Sequence, residues 1–174
     1  GNSSVRFPPG SFLQATSAGE AALIDFVTQA IGNSAKVLDL FCGLGGFGLS
    51  LTNAKNVTFS DLDGPAITAL TQTAKLNPAH KVEQRNLTSD PYTTTDCDKF
   101  DAIIFDPPRG GAKAQAEQLA NSKAPQIVAI SCDPASFVRD AKILIDGGYK
   151  LHRVQPVDQF LWSTHLELAA HFSR

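Results

Sequence analysis

The sequence predicts an α/β fold: a doubly wound, mostly parallel seven-stranded sheet with its last strand antiparallel. Short β-rich runs alternate with helical segments along the chain, the pattern of successive right-handed crossovers. Several of those runs are continuously apolar, as strands covered on both faces must be. The last two strands have no helical pattern between them, so the final one runs antiparallel to its neighbour.

The elements follow in order. A first helix, Ser17–Ile31, opens on Ser17-Ala-Gly-Glu20, a capping-box spelling. Strands are predicted at 37–41, 57–60, 81–84, 102–105 and 127–130, then at 150–156 and 164–172. Helices are predicted at 65–76, with proline in the first turn, at 112–122, and at 134–145, whose apolar residues 137, 141, 144 and 145 share one face. Gly147-Gly148 closes the last of them. Residues 1–34 read as a helical lead-in to a single core spanning 35–174.

Composition bounds the function. The 174 residues are 43% hydrophobic and 18% charged, enough for a sizeable core and too apolar for disorder. No run approaches the roughly 18–20 apolar residues of a membrane span, and no secretory leader opens the chain. The three cysteines, 42, 97 and 132, form no CxxC pair. That argues against a disulfide framework or structural zinc and predicts a reducing, cytoplasmic setting. Fifteen basic against seventeen acidic residues cannot grip nucleic acid by charge alone. An RNA partner would need a local patch or another domain. The absence of methionine and the Gly-Asn-Ser-Ser start read as a tag scar on a C-terminal piece of a longer protein.

Ligands of doubly wound sheets sit at the carboxyl ends of the strands, and the motifs fall there. The first strand runs into Asp39–Gly48 (DLFCGLGGFG), where glycines 43, 45 and 48 allow a tight turn and close ligand approach. The second ends at Asp61, placed to accept hydrogen bonds from ribose hydroxyls, with Asp63 beyond it. Together these predict a nucleoside cofactor, NAD or S-adenosylmethionine. Asp39, within the strand end, is expected either to face a cationic ligand, which favours S-adenosylmethionine, or to cap. The fourth strand delivers Asp106-Pro-Pro-Arg109, a proline-stiffened turn holding a carboxylate at the sheet edge.

The fifth strand ends in Ser131-Cys132-Asp133-Pro134. A thiol just before a helix N-terminus is expected to have a lowered pKa, although a lone cysteine there is more often a small buried hydrophobe. Cys42 and Cys97 read as structural, the latter in a loop. Glu167 stands in an apolar stretch, where partial burial raises a carboxyl pKa and fits it for proton exchange near neutrality. His165 shares that face by alternation. Phe160 and Trp162 are candidates to stack on a base at the mouth.

With these residues laid out, the chain resembles the RNA uracil-C5 methyltransferase family, which makes 5-methyluridine in ribosomal and transfer RNA. The resemblance rests on Phe12-Leu-Gln14, Asp39–Gly45, Asp106–Arg109, Ser131–Pro134 with Arg139-Asp140, and the segment from Asp158 to Glu167. It implies a class I, Rossmann-like S-adenosylmethionine-dependent catalytic domain. Cys132 matches the nucleophile, Glu167 the base, and Asp106 a catalytic position. Gln14, Phe41, Gly43, Gly45, Gly46, Asp61, Asn86 and Asp106 match cofactor positions. It implies an RNA substrate, ribosomal or transfer, with a flipped-out uridine, and no membrane, no obligate protein partner and no metal in this stretch. An iron–sulfur cluster would belong to a missing N-terminal part. Gly46 and Asp133 stand where asparagine is usual, and Asp158–Leu161 replaces a Met-Phe-Pro spelling. The alternatives are a methyltransferase for an exocyclic base amine, an NAD-dependent oxidoreductase, and a non-catalytic S-adenosylmethionine- or RNA-binding module.

Overall fold

The chain alternates α1 (Ser17–Ile31), β1 (Lys36–Leu40), α2 (Gly46–Ser50), β2 (Asn56–Asp61), α3 (Gly64–Ala74), β3 (Lys81–Gln84), α4 (Thr94–Cys97), β4 (Ala102–Phe105), α5 (Lys113–Asn121), β5 (Gln126–Ser131) and α6 (Pro134–Asp146), then closes with β6 (Lys150–Val157) and β7 (Glu167–Ser173). The computed structural model describes residues 8–160, 162–163 and 165–174. All seven strands form one sheet in the order β3-β2-β1-β4-β5-β7-β6. The β1–β2, β1–β4, β2–β3 and β4–β5 pairs are parallel; β7 is antiparallel to both β5 and β6.

Side-chain alternation explains why helices cover both faces. Leu38, Ile103, Ile127 and Phe172 point into one apolar cluster with Leu119 of α5 and Leu144 of α6. Their strand neighbours Val37, Ile104 and Val128 point into the other, with Phe26 and Val27 of α1, Phe47 of α2 and Leu70 of α3. Successive residues of a strand face opposite ways, so a continuously apolar run builds two cores at once. Each fully buried side chain of this size stabilises the fold by about 1.5–3 kcal/mol.

The boundaries differ from sequence expectation where local geometry intervenes. β1 ends at Leu40 because Phe41 takes φ 60°, outside any strand. α1 is capped by Thr16, whose side chain accepts from Gly19 N, one residue earlier than the Ser17–Glu20 spelling suggested. The expected start of the last strand, 164, lies outside the described residues, and β7 begins at Glu167. α2 and α4 are five and four residues long, too short for hydrophobic periodicity to announce them.

Asp39 corrects one expectation. Its carboxyl is fully buried in β1 and does not line the ligand cavity. Oδ2 accepts from Gly48 N at 2.9 Å, tying α2 to β1, while Oδ1 has no partner. It is the capping alternative that holds. Burial pushes its pKa up to about 7, against the Gly48 hydrogen bond, with the Asp61 carboxylate adding to the rise.

An Asp that stays protonated when folded but ionises when unfolded loses the protein stability as pH rises from about 4 to about 7. Asp39→Asn keeps an acceptor for Gly48 N and cannot ionise. Urea unfolding should show the variant gaining on the parent by about 3 kcal/mol between pH 4.5 and pH 8. A pH-independent difference would contradict this assignment.

Candidate active site

A cavity of about 490 Å³ opens at the carboxyl ends of β1, β2, β4 and β5, within the roughly 300–1,000 Å³ of small-ligand sites. It sits where the chain reverses direction across the sheet, between β1 and β4. Gln14, Phe41, Gly43, Asp61, Asn86, Asp106, Cys132 and Glu167 all line it. Gly45 and Gly46 do not. Gly45 takes φ 79°, and a Cβ there would come within 2.7 Å of Leu70 Cδ1, so it serves the packing of α2 on α3. Gly46 is the exposed first residue of α2.

One wall is built by the β1–α2 turn. Phe41 and Gly43 both have positive φ, 60° and 52°. Such backbone in a phenylalanine is uncommon, and it turns the ring edge-on to Phe105 at 6.0 Å between centroids. Gly43 N donates to Asp61 Oδ2 at 2.8 Å, and Asp63 N to Asp61 Oδ1 at 2.9 Å. Each oxygen keeps a lone pair for a ligand. Asp63 caps α3 through Ala66 N.

On the side of the cavity formed after β3, sequence reasoning named only Asn86. Arg85 lies 4.4 Å over the Tyr92 ring and donates to the carbonyls of Asp90 and Pro91 and to Asp90 Oδ1. It thereby holds the loop that carries Asn86. Asn86 Oδ1 accepts from Thr88 N and Ser89 N, which leaves its amide NH₂ as the group free to meet a ligand. Arg85, Leu62, Leu87 and Thr88 also line the cavity. Their signal was position alone, just past strand ends.

Asp106, half-buried, follows β4 and donates its backbone N–H to Leu40 O. The next turn is braced from α6: Arg139 donates to Gly110 O and to Asp140 Oδ1, and buried Asp140 accepts from Ala112 N at 2.9 Å. This brace links the turn after Asp106–Arg109 to the helix following Cys132. Arg109 lines the cavity and, among the described residues, joins no ion pair.

Cys132 and Glu167 meet because of register. β5 pairs with β7 as Ser131↔Leu168, and the next step of that antiparallel ladder sets Cys132 opposite Glu167. Glu167 is 3% exposed. His165 does not share its environment. It precedes the strand, so alternation does not reach it; it is exposed, and its ring meets Phe160 edge-on at 6.1 Å. Neither Phe160 nor the fully exposed Trp162 lines the cavity. Cys42 is buried as expected, but Cys97 ends α4 in the core rather than lying in a loop.

A family model for tRNA (uracil-5-)-methyltransferases matches residues 2–174. The chain belongs to that family. An uncharacterized RNA methyltransferase of Caulobacter vibrioides is 41% identical over the whole chain and 43% of its own length. The 23S rRNA (uracil(1939)-C(5))-methyltransferase of Vibrio vulnificus is 32% identical over 98% of the chain and 40% of its own. The crystal structure of Pyrococcus abyssi tRNA (uracil-54, C5)-methyltransferase in complex with S-adenosyl-L-homocysteine superposes with a TM-score of 0.79 at 29% identity, covering 94% of this chain and 40% of that one. A ribosomal protein L11 methylase of Lactobacillus delbrueckii, 20% identical with a TM-score of 0.70 over 98% of this chain and 84% of that one, shares the fold. This member of the uracil-5-methyltransferase family thus has the S-adenosylmethionine-dependent methyltransferase fold. It spans about two fifths of the length of the curated relatives it matches. Among the described residues no helix is long and apolar enough to cross a membrane, and no group of three metal-ligating side chains forms.

The cavity is crowded with carboxyls. Burial pushes Asp106 up to about 8, and the charges of Glu167, Asp39 and Asp61 add to it. Burial also raises Glu167, as the sequence suggested, while a hydrogen bond from Gln159 and the charge of Arg109 oppose the rise. The expected activation of Cys132 by a helix terminus is overturned. Its pKa is raised, by burial first and then by Glu167 and Asp106, against the weaker pull of its own backbone N–H and Arg109. Two neighbouring carboxylates outweigh one helix end.

A half-buried, proton-holding thiol reacts slowly with electrophiles. Iodoacetamide should alkylate Cys132 at pH 8 more slowly than a free cysteine peptide. Asp106→Asn and Glu167→Gln should each speed it by about two- to fivefold by removing a like charge. Buried Cys42 and Cys97 serve as internal controls. A parent rate above the peptide's would restore the activated thiol.

Proposed function

We propose that this chain is the catalytic domain of an RNA methyltransferase that methylates C5 of a uridine through a covalent cysteine adduct. The observation that carries the reading is the convergence of Cys132, Glu167 and Asp106 on one cavity. A methyltransferase for an exocyclic amine has no use for a thiol opposite a buried glutamate.

The cavity suits S-adenosylmethionine. Its acids Asp61, Asp63 and Glu167 complement a sulfonium cation, and the Asp61 oxygens retain acceptor capacity beside an apolar wall that includes Phe41. Gln14, Phe41, Gly43, Asp61 and Asn86 would hold it, and when bound it supplies an electrophilic methyl group. C5 of uracil is a weak nucleophile, and covalent addition at C6 enriches it. The Cys132 thiol first releases its proton to solvent; the thiolate then forms the C6–S bond, and the C5=C6 π pair moves onto C5 and O4. Asp106, protonated below about pH 8, offers an O–H to a base carbonyl. Once C5 carries its methyl, Glu167 accepts the C5 proton. That electron pair restores C5=C6 and expels the Cys132 sulfur. The thiol and carboxylate can reach C6 and C5 only of an unpaired, unstacked uridine, ribosomal or transfer.

Cys132→Ala should lower methyl transfer to RNA from radiolabelled S-adenosylmethionine by at least about a thousandfold while leaving cofactor affinity nearly unchanged. Wild-type turnover in that variant would reject the covalent route. Glu167→Gln should accumulate a protein–RNA adduct that survives denaturing electrophoresis. No adduct despite normal RNA binding would remove Glu167 from the role of base.

A further inference from the structure

Behind the cavity, the turn that follows Asp106 is fastened to the helix that follows Cys132 by two side chains the chemistry above does not use. Asp140, 4% exposed, stands in the second turn of α6. Its Oδ2 accepts from Ala112 N at 2.9 Å. Its Oδ1 accepts from Arg139 Nε at 2.9 Å, with Arg139 Nη2 2.8 Å from the same oxygen. Nη2 also donates to Gly110 O at 2.9 Å. The contacts to the turn span 28 and 29 residues of sequence. The turn is shaped to receive them: Gly111 takes φ 67°, and a Cβ there would overlap both Arg139 Nη2 and Asp140 Oδ2. No side chain of the N-cap residue caps α5, so Asp140 also supplies the anion that a helix N-terminus favours.

We infer that Arg139 and Asp140 are positioning residues of the active site, a brace that sets where the Asp106–Arg109 turn stands relative to Cys132. Each end of the brace is a rigid piece. Cys132 adjoins Asp133, whose Oδ2 caps α6 through Ser136 N at 2.7 Å, so the thiol moves with that helix. Pro107 and Pro108 fix φ, and Gly111 N donates to Pro108 O at 2.7 Å, so Asp106 and Arg109 move with Gly110. Asp106, Arg109 and Cys132 line the cavity, whereas Gly110, Gly111, Arg139 and Asp140 do not. The pair therefore acts on the reacting groups through the backbone and touches no ligand. Packing alone does not call for it. A buried carboxylate is costly to desolvate, and α5 and α6 already share an apolar cluster through Leu119 and Leu144. What the fork of Arg139 adds is direction, for a planar guanidinium that reaches a carboxylate and a carbonyl at once fixes angle as well as distance. The inference rests on Asp106 and Cys132 as reacting groups of the proposed function.

Arg139→Lys tests the brace, because it keeps the charge and loses the fork. A change at Cys132 is then one of position and not of net charge. Iodoacetamide at pH 8 should alkylate Cys132 about threefold faster than in the parent, with Cys42 and Cys97 unchanged and the melting temperature within a few degrees. In methyl transfer, kcat should fall about tenfold, while KM for RNA and the affinity for S-adenosyl-L-homocysteine stay within about twofold. In an Asp106→Asn background the same substitution should cost less than about twofold in kcat, since the group it aims is gone. An unchanged Cys132 rate in a folded Arg139→Lys protein overturns the inference, and so does an equal loss of kcat in both backgrounds. Should that variant fail to fold, Gly111→Ala parts the brace from the turn side without altering charge: Cys132 must again react faster, and an unchanged rate overturns the inference. The alkylation arm needs no turnover. A faster Cys132 in Arg139→Lys beside wild-type turnover in Cys132→Ala would reject the covalent route and leave the brace standing.

Discussion

Everything at this site depends on β7 entering the sheet backwards between β5 and β6. A parallel strand there would carry its start to the far edge of the sheet, away from the ligand cavity. Because β7 is antiparallel, its first residue lies at the end of the sheet where β5 finishes, and Glu167 comes opposite Cys132. The ladder on both sides of β7 holds that register. A slip of one residue would send the carboxyl to the other face of the sheet, since side chains alternate with a period of two.

The second organising constraint is electrostatic. Asp39, Asp61, Asp106 and Glu167 crowd one edge of the sheet, and their mutual repulsion adds to desolvation in lifting Asp39 and Asp106 toward neutrality. Two cations line the cavity: Arg85, paired with Asp90, and Arg109, which among the described residues joins no ion pair. Such a site is poised for a positively charged guest. It also keeps the thiol protonated until the charges around it change.

Rigid backbone supplies the rest. Phe41 and Gly43 leave the strand in left-handed conformations, and Asp61 locks the second of them through its amide. On the opposite wall the Arg139–Asp140 brace joins the turn after Asp106 to the helix after Cys132. The functional groups come from strand ends and from tethered turns, so their spacing follows from the sheet. Fixed spacing of this kind limits the reorganisation needed when a substrate arrives.

Sequence by itself determined the sheet, because continuous apolar runs can be satisfied only between two helical layers, and alternating runs of that length leave few other topologies. It also picked out Asp61, Asp106, Cys132 and Glu167, which line one cavity, since each stands at the end or start of a strand and polar groups there face the sheet's end. Three things needed the third dimension. Asp39 turned from the cavity to Gly48, a choice between two neighbours that a one-dimensional pattern cannot express. Cys132 gained a raised rather than a lowered pKa, because burial in the folded sheet comes first and carboxyls distant in sequence but adjacent in space add to it. Gln159 found Gln14 across 145 residues, a contact created only when the two ends of the chain close over the same strands.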